Sequence, residues 1–69
     1  MTIGEFLKDI RKQKGLTITK VAQDIGFTKQ YISMIEKNKC KPTLKLMKIL
    51  ADYYNIKLSY LVELYDKSI

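Results

Sequence analysis

Glycine, asparagine and proline fall so close together in this chain that no regular element between them can be long. Gly15, Gly26, Asn38, Pro42 and Asn55 divide 69 residues into short pieces, and within the pieces apolar residues recur at helical spacing. Ile3, Phe6, Leu7 and Ile10 stand at i, i+3, i+4 and i+7, one apolar face of a first helix. Its last turn is basic (Arg11, Lys12, Lys14), which suits the negative end of the helix dipole, and Gly15 suits a left-handed cap. Thr17 can cap a short second helix with Val21, Ala22 and Ile25 inward. Gly26 stops that helix, Thr28 starts a third, and Asn38 can end it in the left-handed conformation that asparagine tolerates. After a lysine-rich loop over 37–41, Pro42 and Thr43 open a fourth helix with the inward set Leu44, Met47, Leu50, Ala51 and Tyr54, and Asn55 stops it. Leu58, Leu61, Val62 and Tyr65 fit a fifth helix over about 58–66. No stretch alternates cleanly, so no sheet is expected. The chain reads as one compact all-α domain over 1–69.

That size excludes much. A chain this short is near the lower limit for burying enough surface to fold alone, and a substrate cleft with its own supporting shell is hard to fit into it. Cys40 is the single cysteine. It excludes an internal disulfide and suits a reducing cytosol. Without histidine, one cysteine cannot complete a zinc site, so no metal or cofactor is expected. Ser33 and Cys40 have no histidine to activate them and the seven carboxylates form no obvious acid–base pair, so no enzyme is expected either. The apolar runs are too short to span a membrane, and Met1–Ile10 lacks the apolar core and cleavage site of a signal peptide. The first helix is short and carries Glu5 and Asp9, which argues against peripheral binding to an anionic membrane.

The net charge is +6, and it is unevenly placed. Residues 37–48 hold five lysines and no acid, whereas residues 49–69 hold two bases against three acids. A basic middle followed by a near-neutral, apolar end suggests one region for a polyanion and another for protein. On charge alone, lysines that merely keep the chain soluble remain an alternative.

The second and third helices are separated by Gly26 and Phe27 alone, a helix-turn-helix arrangement spanning about 17–37. Such a pair can brace one helix on the DNA backbone and present the next to the major groove. At about 100° per residue, Lys29, Gln30, Ser33, Met34 and Lys37 fall within about 140° of one face, opposite Ile32 and Ile35. A solvated surface helix would have the same pattern on this segment alone. Lysine can donate to guanine and glutamine can pair bidentately with adenine, which makes Lys29 and Gln30 candidate base readers, with Ser33 and Met34 beyond them. Met34 can touch a thymine methyl or pack into the core, and both readings stay open. Lys39, Lys41 and Lys45 are candidates for phosphate; Lys45 also suits a solvated helix surface, and Lys48 is read as one.

The combination Ile10-Arg11 through Gly15-Leu16-Thr17, Val21-Ala22, Ile25-Gly26, Tyr31-Ile32-Ser33, Ile35-Glu36-Lys37-Asn38-Lys39, Pro42-Thr43-Leu44 and Leu61-Val62 resembles the Cro and phage-repressor type of helix-turn-helix proteins, also called the xenobiotic response element family. The resemblance runs from about Ile3 to Leu64. It implies a five-helix, lambda-repressor-like DNA-binding domain, a transcriptional regulator that binds a double-stranded, two-fold-related operator as a homodimer. It also implies roles by position. Lys29, Gln30, Ser33 and Met34 would read bases. Thr17, Thr19, Lys20, Thr28, Tyr31, Lys37, Asn38, Lys39 and Lys41 would meet the DNA backbone. Arg11 and Glu36 match a salt bridge between the first and third helices; an unpaired carboxylate at Glu36 would be costly to desolvate, so the pair is expected to orient the third helix. One departure stands out: the residue after the Thr17 cap is commonly a phosphate-bracing glutamine in the family and is Ile18 here, so that Thr17, Thr19 and Lys20 would have to substitute.

The fifth helix is apolar nearly all round, which leaves Tyr60, Leu64, Tyr65 and Ile69 as an expected exposed patch. A symmetric dimer through Tyr60, Leu61, Leu64 and Tyr65 is one reading, and a helix that only closes the core is the other. With no sensor or separate oligomerisation region expected, output would be set by concentration, by the dimer equilibrium or by a separate regulatory protein. A simple repressor, the controller of a restriction–modification or toxin–antitoxin module, and a helix-turn-helix module used for protein–protein regulation all suit such a chain.

Overall fold

The computed structural model of the protein describes residues 1–67. Five helices follow in order: α1 Ile3–Gln13, α2 Ile18–Ile25, α3 Lys29–Glu36, α4 Leu44–Tyr54 and α5 Leu58–Lys67. Threonine starts four of them. Thr2, Thr17, Thr28 and Thr43 are extended N-caps whose hydroxyl oxygens accept from the backbone N–H three residues on, each at 3.1 Å. Each such bond satisfies a donor the helix itself cannot, and is worth about 1 kcal/mol. Thr2 and Glu5 go further and exchange bonds as a capping box, which holds the Glu5 carboxyl below its ordinary pKa. Stops are equally local. Gly26 (φ 79°) and Asn55 (φ 57°) end α2 and α4 in the left-handed region, and Asn38 (φ 61°) adopts it just after α3.

The core gathers Leu7, Val21, Ile35, Leu46, Leu50, Tyr54 and Leu61 from all five helices. Two expectations change here. Leu44 is 54% exposed, and Leu46 takes its place at 0%. On the α4 wheel the two flank the Met47–Leu50–Tyr54 stripe at opposite margins, and the core closes over the margin of Leu46. Leu61 and Leu64 are buried, so neither belongs to an exposed patch on α5. A domain this small needs both to cover its interior. Tyr60 stays exposed with its ring edge-on to Phe6, centroids 5.0 Å apart, and Tyr65 is half-buried. Ile69 lies outside the described residues.

α1 and α3 approach closely enough to require glycine. A Cβ on Gly4 would stand 2.5 Å from the Ile35 carbonyl oxygen and 2.7 Å from that of Glu36. The Gly4 N–H donates to Asn38 Oδ1 (3.2 Å), and Asn38 Nδ2 donates to Thr2 Oγ1 (2.8 Å). The end of α3 is thereby tied to the start of α1.

Candidate nucleic-acid interface

α3 owes its placement to what its inner side touches. Ile32 and Ile35 are buried, and beside them Glu36 receives the Arg11 guanidinium in a fork. Nε donates to Oε2 at 2.8 Å and one terminal nitrogen to Oε1 at 3.0 Å, while the other donates to the Leu16 carbonyl at 2.8 Å. Both side chains are more than nine-tenths buried. Desolvating two charges is costly, but a bidentate geometry with a further bond to Leu16 offsets the cost and fixes orientation. The Glu36 bond also holds the Arg11 pKa above its ordinary value, against burial. This is the orienting pair expected from sequence. Tyr54 lies in the same interior, and burial, with the Glu36 carboxylate adding to it, pushes its hydroxyl pKa up. Among the described residues, no buried side-chain polar atom lacks a hydrogen-bond partner.

The junction between α2 and α3 is equally fixed. The Gly26 and Phe27 N–H groups both donate to the Ala22 carbonyl (2.9 and 3.0 Å), and the Phe27 ring stacks on Tyr31 at 5.7 Å. Asp24, near the end of α2, accepts from the Tyr53 hydroxyl of α4 at 2.6 Å and pairs with Lys20 at 3.1 Å. The bond to Tyr53 lowers the Asp24 pKa first, Lys20 second, and in return the Tyr53 hydroxyl is pushed up to about 12.

The outer side of α3 is built differently. Lys29, Gln30 and Met34 are exposed and Ser33 is half-buried. With Ile18 and Thr19 of α2 they line one open concavity of about 530 Å³. All four residues expected to read bases are thus brought to one place. Met34, at 44% exposure, is not core. The pairing with Ile18 was not legible beforehand; Ile18 is the first residue of α2, and only the crossing of α2 and α3 brings it beside the outer face. The sequence signal was the apolar residue standing where a polar one is usual.

The expected backbone-contacting residues divide. Thr17, Thr19, Thr28, Lys37 and Lys39 are exposed, as is Lys20, whose exposed pair with Asp24 is of the weak kind that a phosphate can displace. Tyr31 is half-buried against Phe27. Asn38 and Lys41 have other duties. The Asn38 amide is engaged with Gly4 and Thr2, and Lys41 Nζ sits over the Tyr65 ring at 5.3 Å. The side chain of Asn38 therefore serves the fold first.

Comparison with known proteins accords with this geometry. The family described as Helix-turn-helix matches residues 7–61. The immunity repressor protein of Bacillus phage phi105 is 31% identical over 62 residues, 90% of this chain and 43% of that protein. The ImmF control region 10 kDa protein of the same phage is 34% identical over 59 residues, 86% of this chain and 66% of that protein. The HTH-type transcriptional regulator SinR of Bacillus subtilis is 27% identical over 62 residues, 88% of this chain and 56% of that protein. The chain thus spans between about two-fifths and two-thirds of the length of these curated relatives. Among the described residues no helix is long and apolar enough to cross a membrane, and no group of residues could hold a metal ion.

Proposed function

Because the chain belongs to the helix-turn-helix family of DNA-binding transcriptional regulators, of the Cro and phage-repressor type, we propose that it is a repressor that binds a two-fold-related operator as a homodimer, with α3 in the major groove. The observation that supports this best is the contrast across α3: Ile32, Ile35 and Glu36 are locked inward, while Lys29, Gln30, Ser33 and Met34 share one outward concavity. In this reading Lys29 donates to guanine O6 or N7 and Gln30 pairs with adenine. Thr17, Thr19, Lys20, Thr28, Lys37 and Lys39 surround that face and meet phosphate, which sets register but not sequence.

Dimerisation rests on less surface than the sequence suggested. With Leu61 and Leu64 in the core, the exposed Tyr60 and the half-buried Leu58, Val62 and Tyr65 are the apolar side chains that α5 offers a second copy among the described residues. Two such chains would place their α3 helices on half-sites one DNA turn apart, about 34 Å, and block polymerase. The protein would act in the cytoplasm of a bacterial cell, as expected for a relative of phage and bacterial regulators.

Selecting bound sequences from a pool of random DNA duplexes tests this directly. The expected result is a recurring half-site repeated with two-fold symmetry at a fixed spacing. Recovery of a single unrepeated half-site would remove the dimer, and recovery of no common sequence would remove specific DNA binding altogether.

A further inference from the structure

The outward concavity of α3 contains two apolar side chains that the proposed hydrogen-bonding contacts leave unused. Ile18 is half-buried at the first position of α2, and Met34 is 44% exposed on the second turn of α3. They line the same open space as Lys29, Gln30, Thr19 and Ser33. Neither is required there by the core, which closes on Val21, Ile32 and Ile35 without them. Among the described residues Lys29 makes no ion pair, so an unpaired cation lines the same space as these two apolar side chains. A partner that fits must be polyanionic at its edges and carry a small apolar group at its centre.

In the DNA major groove one such group is available, the C5-methyl of thymine. Resting on the DNA-binding reading above, we propose that Ile18 and Met34 together form a thymine-methyl pocket, which specifies a T·A pair in each half-site without a hydrogen bond to that thymine. Sulfur and methylene groups of methionine adapt to an incoming methyl, and the branched Ile18 supplies the stiffer wall. The pocket discriminates by contact, so its preference is for thymine over cytosine, which lacks the methyl.

Replacing operator thymines one at a time by deoxyuridine deletes the methyl and leaves every hydrogen-bonding group in place. One thymine per half-site is expected to respond, with affinity falling roughly fourfold, and roughly by the square of that when both half-sites are substituted. In Ile18→Gln and Met34→Gln proteins the same replacement is expected to have little effect, because the wall is already gone. The inference is overturned if no thymine responds, or if the response persists undiminished in both variants. Those outcomes leave specific binding intact and so differ from loss of all sequence preference, which would overturn the DNA reading and this one with it. Because the central comparison alters the DNA and not the protein, folding does not enter it.

Discussion

α3 is held by α1, and α5 by α4, through contacts of opposite kinds. Between α1 and α3 lie directional bonds: the fork of Arg11 on Glu36, the Asn38 amide between Gly4 and Thr2, and a backbone approach that excludes a Cβ at Gly4. Between α4 and α5 the buried residues are apolar, with Leu46, Leu50, Leu61 and Leu64 in one cluster. Apolar burial scales with area and tolerates small shifts; bidentate and backbone bonds do not. The helix proposed to enter the major groove is therefore the one fixed by geometry, and the helix that closes the core is fixed by area.

The comparison can be broken most severely at Glu36. Glu36→Ala leaves the buried Arg11 without its partner and is expected to cost about 3–5 kcal/mol in thermal or chemical unfolding. An unchanged melting temperature with altered DNA preference would reassign Glu36 to recognition. Leu61→Ala attacks the other side and should cost about 2–5 kcal/mol, through lost burial and a cavity. It should leave operator preference unaltered in whatever fraction stays folded. Gly4→Ala should cost about 1–3 kcal/mol by forcing α1 off α3, and because α3 moves with it, operator affinity should fall further than stability alone accounts for. Lys29→Ala and Gln30→Ala should leave the melting temperature alone and cost about 1–3 kcal/mol on the selected operator, each relaxing one base position in a binding assay. Uniform weakening on all duplexes would make them phosphate contacts instead.

The smallest effect is expected at the α2–α4 link. Tyr53 has a folded pKa raised to about 12 from 10.0, so its bond to Asp24 stabilises fully below pH 10 and is lost as pH rises through about 12. Asp24 is lowered from 3.8, so its share is present above that value and disappears as pH falls through the depressed one. Tyr53→Phe should melt slightly below the wild-type protein near neutrality, with the gap closing at both extremes.

What could be read from the sequence was local. The helix starts at Thr17, Thr28 and Thr43, the stops at Gly26, Asn38 and Asn55, and the division of α3 into two faces each depend on residues a few positions apart. The Arg11–Glu36 pair was legible through family resemblance and the cost of an unpaired carboxylate. Leu44 was misplaced because period alone cannot decide which margin of a stripe a neighbour covers. The role of Asn38 was hidden for a related reason: its partners Thr2 and Gly4 lie more than thirty positions away, and only the folded chain brings them together. The same holds for Ile18 beside Met34.

Among the described residues, the side chains of Lys29, Gln30, Ser33 and Met34 make no hydrogen bond to the rest of the protein, although the helix beneath them is pinned at Glu36 and Asn38. Substitutions at these four positions therefore meet little resistance from folding. On the proposed reading, a lineage with this scaffold can change its address on a genome through a handful of codons, and two copies in one cell can drift to separate targets before either loses its shape.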